Sequence, residues 1–470
     1  MQLSKPRPGQ VTRTLATLAA GLFAASTAHA QDNTNGAQAY PQSSYSDDSD
    51  VGLSRMDSAV LVYQEAGGRV RAIEPATNVI LHGSEDHILT LGLVADSLTG
   101  ASPNGAAPSG HLQTFVTPLK APTSSTATVT NASGGSTVIQ LPPTPGQVAA
   151  AAYGRQYTTA AGLLPVDPGF HDQRFAGNVG WSQPVGRNTK AGFGAGYSTE
   201  HDYRSITGNA SLSQDFNAHN TTLSVAGNYE YDTSSPYGGT PTPLTVMSPA
   251  MKGPNQSRRV ADFVVGLTQV VSRNWLAQLN YSYGIASGYQ NDPYRILSVV
   301  DATTGEPMTY LYESRPNSRH RQSVYFDNKV DVGPNIFDVS ARYFWDNWGV
   351  RSTTVDASDR ISLTHAIYID PHVRWYRQTA ANFFRPYLVN GQPLPQYASS
   401  DTRLGKFTAM TYGMTFGVKV TDTGEVYLRG EYYRQTGDGH PAGAIGQLAN
   451  QNLFGGVKAT SLMMGYSFGF

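Results

Sequence analysis

Apolar and polar residues alternate with a period of two along most of this chain. In Trp275–Ile285, Trp275, Ala277, Leu279, Tyr281, Tyr283 and Ile285 share one face, while Leu276, Gln278, Asn280, Ser282 and Gly284 share the other. Phe337, Val339, Ala341, Tyr343 and Trp345 alternate in the same way with Asp338, Ser340, Arg342 and Asp346. So do Ile367, Ile369, Val373 and Trp375 with Asp370, His372, Arg374 and Tyr376, and Met410, Tyr412, Met414, Phe416 and Val418 with Ala409, Thr411, Gly413, Thr415 and Gly417. Successive strand side chains point to opposite faces, so each stretch reads as a strand with one apolar face and one polar or small face. The last stretch obeys the same rule: Leu462, Met464, Tyr466, Phe468 and Phe470 fall on one side, Met463, Gly465, Ser467 and Gly469 on the other.

Extended over the chain, the pattern predicts strands at Ser58–Glu65, Arg69–His82, His87–Ser97, Arg174–Gln183, Lys190–Glu200, Arg204–Phe216, Thr221–Asp232 and Arg259–Val271. It continues with Trp275–Tyr289, Arg319–Val332, Ile336–Gly349, Thr353–Thr364, Ala366–Thr379, Arg403–Val420, Glu425–Gln435 and Leu453–Phe470. Pro75 makes the second strand the weakest of the set, because proline cannot donate to a ladder. Tight turns such as Gly186-Arg187-Asn188, Ser272-Arg273-Asn274 and Gly333-Pro334-Asn335 alternate with long Gly/Pro-rich loops at Thr233–Ser257, Gln290–Ser318, Ala380–Asp401 and Thr436–Asn452. The longest interruption is Leu98–Asp172, readable as a lid over the lumen or as a mobile surface loop, with its Pro, Ser, Thr and Gly content favouring the latter. Short connections on one rim and long ones on the other, with an aromatic final residue, predict an all-β, transmembrane, antiparallel up-and-down β-barrel of about sixteen strands.

Composition sharpens this. Charged residues are only 14% of the chain, Tyr (27) outnumbers Phe (17), and Gly is abundant (48); soluble domains carry about 25% charge. Residues 1–30 read as a secretory signal, with Lys5, Arg7 and Arg13 before the apolar run Leu15–Ala25 and a cleavage site at Ala28-His29-Ala30. Residues 31–57 read as a flexible periplasmic lead-in and 58–470 as the barrel. Without those three basic residues, the chain's 33 Lys and Arg fall to 30 against 34 acidic residues, a net charge of −4. That balance argues against nucleic acid as a partner. The absence of cysteine leaves no lipoprotein anchor and no disulfide. The expected partners are outer-membrane lipid and, through the strand ending at Phe470, the machinery that assembles outer-membrane barrels.

The polar face is where chemistry would sit. Its register turns Glu230, Asp232, Asp338, Arg342, Asp346, Asp370, His372, Arg374, Arg429 and Glu431 toward the lumen, where charged rings tune solute preference or pair to brace the wall. Asp292 and Arg295, with Arg315, Arg319 and Arg321, form a candidate outer rim for an anionic solute, or alternatively a loop clamp. Enzyme signals are poor. Gly192-Phe193-Gly194-Ala195-Gly196 lies mid-strand with no helix after it, which fails the test for a phosphate loop. No His-Glu-x-x-His motif occurs, and no catalytic residue, metal site or cofactor is expected.

Several separated motifs resemble one family: Val62-Tyr63-Gln64-Glu65, Leu98–Ala106, Asn291-Asp292-Pro293-Tyr294-Arg295, Ser314–Arg319, Trp375–Ala381 and Thr411-Tyr412-Gly413. They are similar to the bacterial domain-of-unknown-function family 3570, exported proteins with the look of outer-membrane barrels, over roughly Asp57 to Phe470. The resemblance implies compartment and architecture and brings no activity with it. The Pro/Thr-rich filling of Pro108–Gly146 is longer than that resemblance leads one to expect. The leading reading is a channel or export conduit for small polar or glycan-type solutes in the bacterial outer membrane. The alternatives are a structural or partner-docking barrel with a closed lumen, and a barrel-borne lipid or glycan hydrolase.

Overall fold

Arg55–Glu65 pairs antiparallel with Lys458–Gly469, and that pairing closes a sheet in which every other neighbour in space is also a neighbour in strand order. A computed structural model describes residues 53–117, 125–130, 136–141, 155–247 and 253–470. The secretory signal and most of the lead-in lie outside the described residues, as do parts of 98–172. The barrel has sixteen antiparallel strands. They are Arg55–Glu65, Arg71–His82, Ile88–Pro103, Val166–Pro184, Thr189–Thr199, Tyr203–Phe216, Thr221–Ser234, Gln256–Ser272, Trp275–Gly288, Ser318–Val332, Asn335–Asp346, Arg351–Ser362, Ile367–Gln378, Phe407–Lys419, Gly424–Gly437 and Lys458–Gly469. Pro75 sits opposite Val60 in one ladder, while in the other the pairing breaks between Ile73 and Ala76. The strand survives because only one of its two ladders is interrupted.

The period of two separates two surfaces. Phe175, Phe193, Tyr229, Val265, Leu279, Tyr343, Tyr412, Leu428 and Met464 are exposed on the outside of the barrel. An apolar belt of this extent on a closed barrel is a lipid-facing surface. Between them, residues of the other parity face the lumen and are predominantly polar, charged or small, with Val264 and Phe344 among the apolar exceptions. Some of the small ones lie under aromatic rings. Across adjacent strands the inner face reads Tyr368, Gly417, Tyr427, Gly465. A β-carbon at Gly417 would lie 2.1 Å from the Tyr368 ring and one at Gly465 would lie 2.2 Å from the Tyr427 ring. Glycine at these places lets each tyrosine lie down on its neighbour strand instead of standing into the lumen.

Residues 83–87, 185–188, 217–220, 273–274, 333–334, 363–366 and 420–423 are tight turns on one rim, which also carries the start of Arg55–Glu65 and the end of Lys458–Gly469. The opposite rim carries the long connections, together with three short ones at 66–70, 200–202 and 347–350. Two strands run beyond their expected ends: Ile88–Pro103 and Val166–Pro184 stay paired up to Pro103 opposite Val166, with a bulge between Gly100 and Ser102. The long connections contain secondary structure of their own. Ile296–Val300, Pro307–Tyr312 and Leu388–Val389 form a three-stranded sheet, and Gln113–Thr117 pairs with Arg155–Thr159.

Candidate functional site

Charges on the inner wall are arranged in bridged chains. Glu230 and Asp232 sit on Thr221–Ser234, and Arg258 of the next strand reaches both, at 3.7 Å and 2.9 Å. Asp338 is held by Lys329 at 2.9 Å. Asp346 is held by Arg319 at 2.8 Å, and its other oxygen accepts the backbone N–H groups of Trp348 and Val350, which shapes the 347–350 turn. Arg374 donates to Asp356 at 2.5 Å, and His372 stands between Asp356 at 3.0 Å and Glu431 at 3.4 Å. Arg429 closes this chain on Glu431. His372 and Glu431 are on strands separated by Phe407–Lys419, and the residue between them is Gly413. A β-carbon there would lie 3.1 Å from His372 Nδ1, so the glycine opens the gap through which the two side chains meet. Asp370 lies on the same face, with Arg360 and Arg429 as its charged neighbours. Arg342 projects into the lumen, exposed, beside Phe344.

The candidate rim divides into two parts. Asp292, Arg295 and Arg315 come together with Glu313, Asp401 and Arg403. Arg315 holds Asp401 at 2.9 Å and Glu313 at 2.7 Å, Arg403 holds Asp401 at 2.6 Å, and both Arg403 (3.4 Å) and Arg295 (3.5 Å) reach Asp292. Arg295 also donates to the Pro103 carbonyl at 2.6 Å, and Ser399 Oγ donates to Glu313 at 2.5 Å. Glu313, Arg315 and Asp401 are almost wholly buried. Burial alone would raise the Asp401 carboxyl, but Arg403, Arg295 and Arg315 outweigh it and hold it well below the usual carboxylate range. Burial pushes the Glu313 carboxyl up, against the pull of Arg315. The group fastens the 289–317 connection to 379–406 and to the end of Ile88–Pro103. Arg319 and Arg321 are elsewhere, on the inner face of Ser318–Val332, paired with Asp346 and with Asp262 at 3.1 Å.

This clamp belongs to a cap. Ala107, Val300, Leu448 and Leu453 form one buried cluster, drawn from the connections 104–165, 289–317 and 438–457. In the closed strand order those connections leave the wall at points six, six and four strands apart, so their tips meet across the mouth. Gln447 ties all three, its Nε2 donating to the carbonyls of Pro108 and Gly305 at 3.1 Å each. A second cluster joins Ala106 and Phe115 to Ile296 and Tyr312, and a third joins Leu297, Val299 and Leu311 to Leu388 and Ala398. Ala106, Ala107, Phe115 and Tyr157 of the longest connection are thus packed into the cap.

The sequence profile of the family described as "Protein of unknown function (DUF3570)" matches residues 15–468. The chain belongs to this family. No curated protein sequence matches it. Among solved structures, it is similar to a G324V mutant of the ferric enterobactin receptor PfeA from Pseudomonas aeruginosa, at 10% identity and a TM-score of 0.40, over 88% of this chain and 59% of the receptor. It therefore spans less than two thirds of the length of that receptor. It is also similar to a bacterial polysaccharide outer membrane secretin (9% identity, TM-score 0.40, 89% of this chain and 99% of the other). A third is the CymD monoaromatic hydrocarbon channel (8% identity, TM-score 0.35, 89% and 88%).

In this DUF3570 protein the run Gly192–Gly196 is part of the wall. Where Gly192, Gly194 and Gly196 lack side chains, Ser211, Asn209 and Thr207 of the adjacent strand fill the space. Asp172, Glu200 and Asp202 offer oxygens within 4.8 Å of one another at the loop rim, and the Tyr294 hydroxyl donates to Asp202 at 2.6 Å. Residues that the sequence did not single out are Asp262, Glu313, Asp356, Asp401 and Arg403. Asp356 had a usable signal, since it alternates with the outward Val355. Glu313 and Asp401 had none, because they lie in connections with no regular period.

Proposed function

We propose that the protein is an outer-membrane channel or export conduit for small polar or glycan-type solutes, open to the periplasm and shut on the outside by its cap. The observation that carries this reading is a polar, charged wall in a barrel of sixteen strands whose long connections meet across one mouth only. Barrels of this size hold an aqueous lumen, and outer-membrane barrels keep their short turns on the periplasmic side. The apolar outer belt supports placement in a bilayer.

Planar-bilayer recording of the refolded protein tests this. The wild type is expected to stay closed or to flicker, and Arg315→Ala, which leaves Glu313 and Asp401 without their shared partner, is expected to produce discrete conductance steps. Silence from both proteins, each shown to be folded and inserted, would overturn the channel reading. The second reading, a docking barrel with a closed lumen, is favoured by the cap's own buried clusters; it expects silence together with intact, protease-resistant loops.

A further inference from the structure

Arg342 stands apart on the inner wall. Arg258, Arg319, Arg321, Arg374 and Arg429 each hold a carboxylate at ion-pair distance. Among the described arginines of the inner face, Arg342 alone has none; its charged or titratable neighbours are Tyr376, Tyr325 and Arg321. Arg321 is already occupied by Asp262. The strand ladders place Arg342 in a row: Asn280 opposite Tyr325, Tyr325 opposite Arg342, Arg342 opposite Thr354, and Thr354 opposite Tyr376. The guanidinium therefore has a tyrosine strand on either side along that row and is open to the lumen. At the end of the row beyond Tyr325, the buried Asn280 has an Nδ2 donor with no partner.

Building on the conduit reading, we infer that Arg342, between Tyr325 and Tyr376, is a subsite for the carboxylate of an acidic solute, such as an acidic sugar. A guanidinium presents a planar fork that matches a carboxylate bidentately, and aromatic rings beside it offer a face for the apolar side of a sugar. The wall sets a carboxylate beside each of its other named arginines and none beside Arg342, whose guanidinium is solvated from the lumen. Here the carboxylate position is left for the solute. A charge that binds weakly and is reached from water is also what a conduit needs, since a solute must leave as well as enter.

The test uses the full-length barrel refolded in detergent at low salt, with ligand-observed NMR or calorimetry and three probes: glucuronate, acetate and glucose. Glucuronate and acetate are expected to bind and glucose is not; tighter binding of glucuronate than acetate identifies an acidic sugar, and equal binding a simple carboxylate. Arg342→Gln is expected to weaken glucuronate binding roughly ten- to a hundred-fold, the loss of a charge-assisted hydrogen-bond pair. Arg342→Lys, which keeps the charge and loses the fork, falls between, and covers the case in which the glutamine variant does not fold. Lys190→Gln, an equal change of charge on the same face near the turn rim, is expected to bind as the wild type does. Binding unchanged in Arg342→Gln, or glucose bound as well as glucuronate, overturns the subsite. Conductance of Arg315→Ala is recorded in parallel. If it conducts and binding ignores Arg342, the subsite fails and the conduit stands; if binding follows Arg342 and nothing conducts, the subsite stands and the conduit fails.

Discussion

Ser467 Oγ donates to Asp57 Oδ1 at 2.6 Å, joining two side chains 410 residues apart at the seam of the barrel. The two residues are directly opposite in the ladder, whereas Val62 is opposite Leu462. Cysteines at Asp57 and Ser467 are therefore expected to cross-link under mild oxidation, giving a circularised barrel that migrates differently from the reduced form on a gel. Cysteines at Val62 and Ser467, five residues out of register and on opposite faces, are expected to stay free. Cross-linking of the second pair and not the first would mean that the seam is set in another register.

Next to the seam, Tyr466 and Phe468 stack at 6.2 Å between ring centroids and Phe468 and Phe470 at 5.9 Å, forming an aromatic ladder on the lipid side. The Phe470 backbone also exchanges hydrogen bonds with Ser54, at 2.7 and 3.0 Å. Phe470→Ala keeps that backbone pairing and removes the last ring. It is expected to lower the amount of folded protein in the outer membrane several-fold while leaving the conductance of assembled molecules unchanged. Quantifying the heat-modifiable band in membrane fractions, beside single-channel recordings of the purified variant, checks both halves.

The two faces of Gln256–Ser272 give a test within one dipeptide. Val265 is exposed to lipid, and Val264 faces the lumen. An arginine on the lipid face near the bilayer midplane costs roughly 2–4 kcal/mol. Val265→Arg is expected to shift the folding midpoint in denaturant by that order, and Val264→Arg to fold close to the wild type. Equal loss in both would mean that the inner face is too tightly packed to be a water-filled wall.

How much of this was legible follows from where the physics is local. Lipid on one side and charge on the other impose a period of two, so the strand around Trp275–Ile285 and its counterparts could be read residue by residue, as could the adjacency of the first and last strands. The ends drift where that constraint stops: the strand expected to finish at Ser97 runs to Pro103, because pairing continues beyond the apolar belt. The cap was not legible. Ile296–Val300 is buried at every position, so it has no alternation to read, and one of its two strand partners, Leu388–Val389, comes from another connection about 90 residues away. The rim residues show both outcomes. Asp292, Arg295 and Arg315 do cluster, as a clamp with Asp401 that only the folded chain brings near. Arg319 and Arg321 were grouped with them by sequence proximity, but a strand had already begun and carried them to the inner wall.

The clamp gives the cap a pH dependence whose sign can be worked out. Asp401 is ionised in the folded cap well below the usual carboxylate range, so its contribution is complete above about pH 4 and is lost as pH falls from there through the folded value. Glu313 has the opposite sign: burial raises it, so acid favours its folded, protonated form and offsets part of that loss. The wild-type cap is therefore expected to resist protease equally at pH 7 and pH 5 and to loosen only in stronger acid. Asp401→Asn removes the ionised partner of Arg315 and Arg403 at every pH, and breaking a buried pair from one side costs roughly 3–5 kcal/mol. That variant is expected to be cleaved in the 289–317 and 379–406 connections already at pH 7, with the barrel itself still heat-modifiable. Limited proteolysis across pH reads this directly, and a variant as protected at neutral pH as the wild type would show that the apolar clusters hold the cap without the clamp.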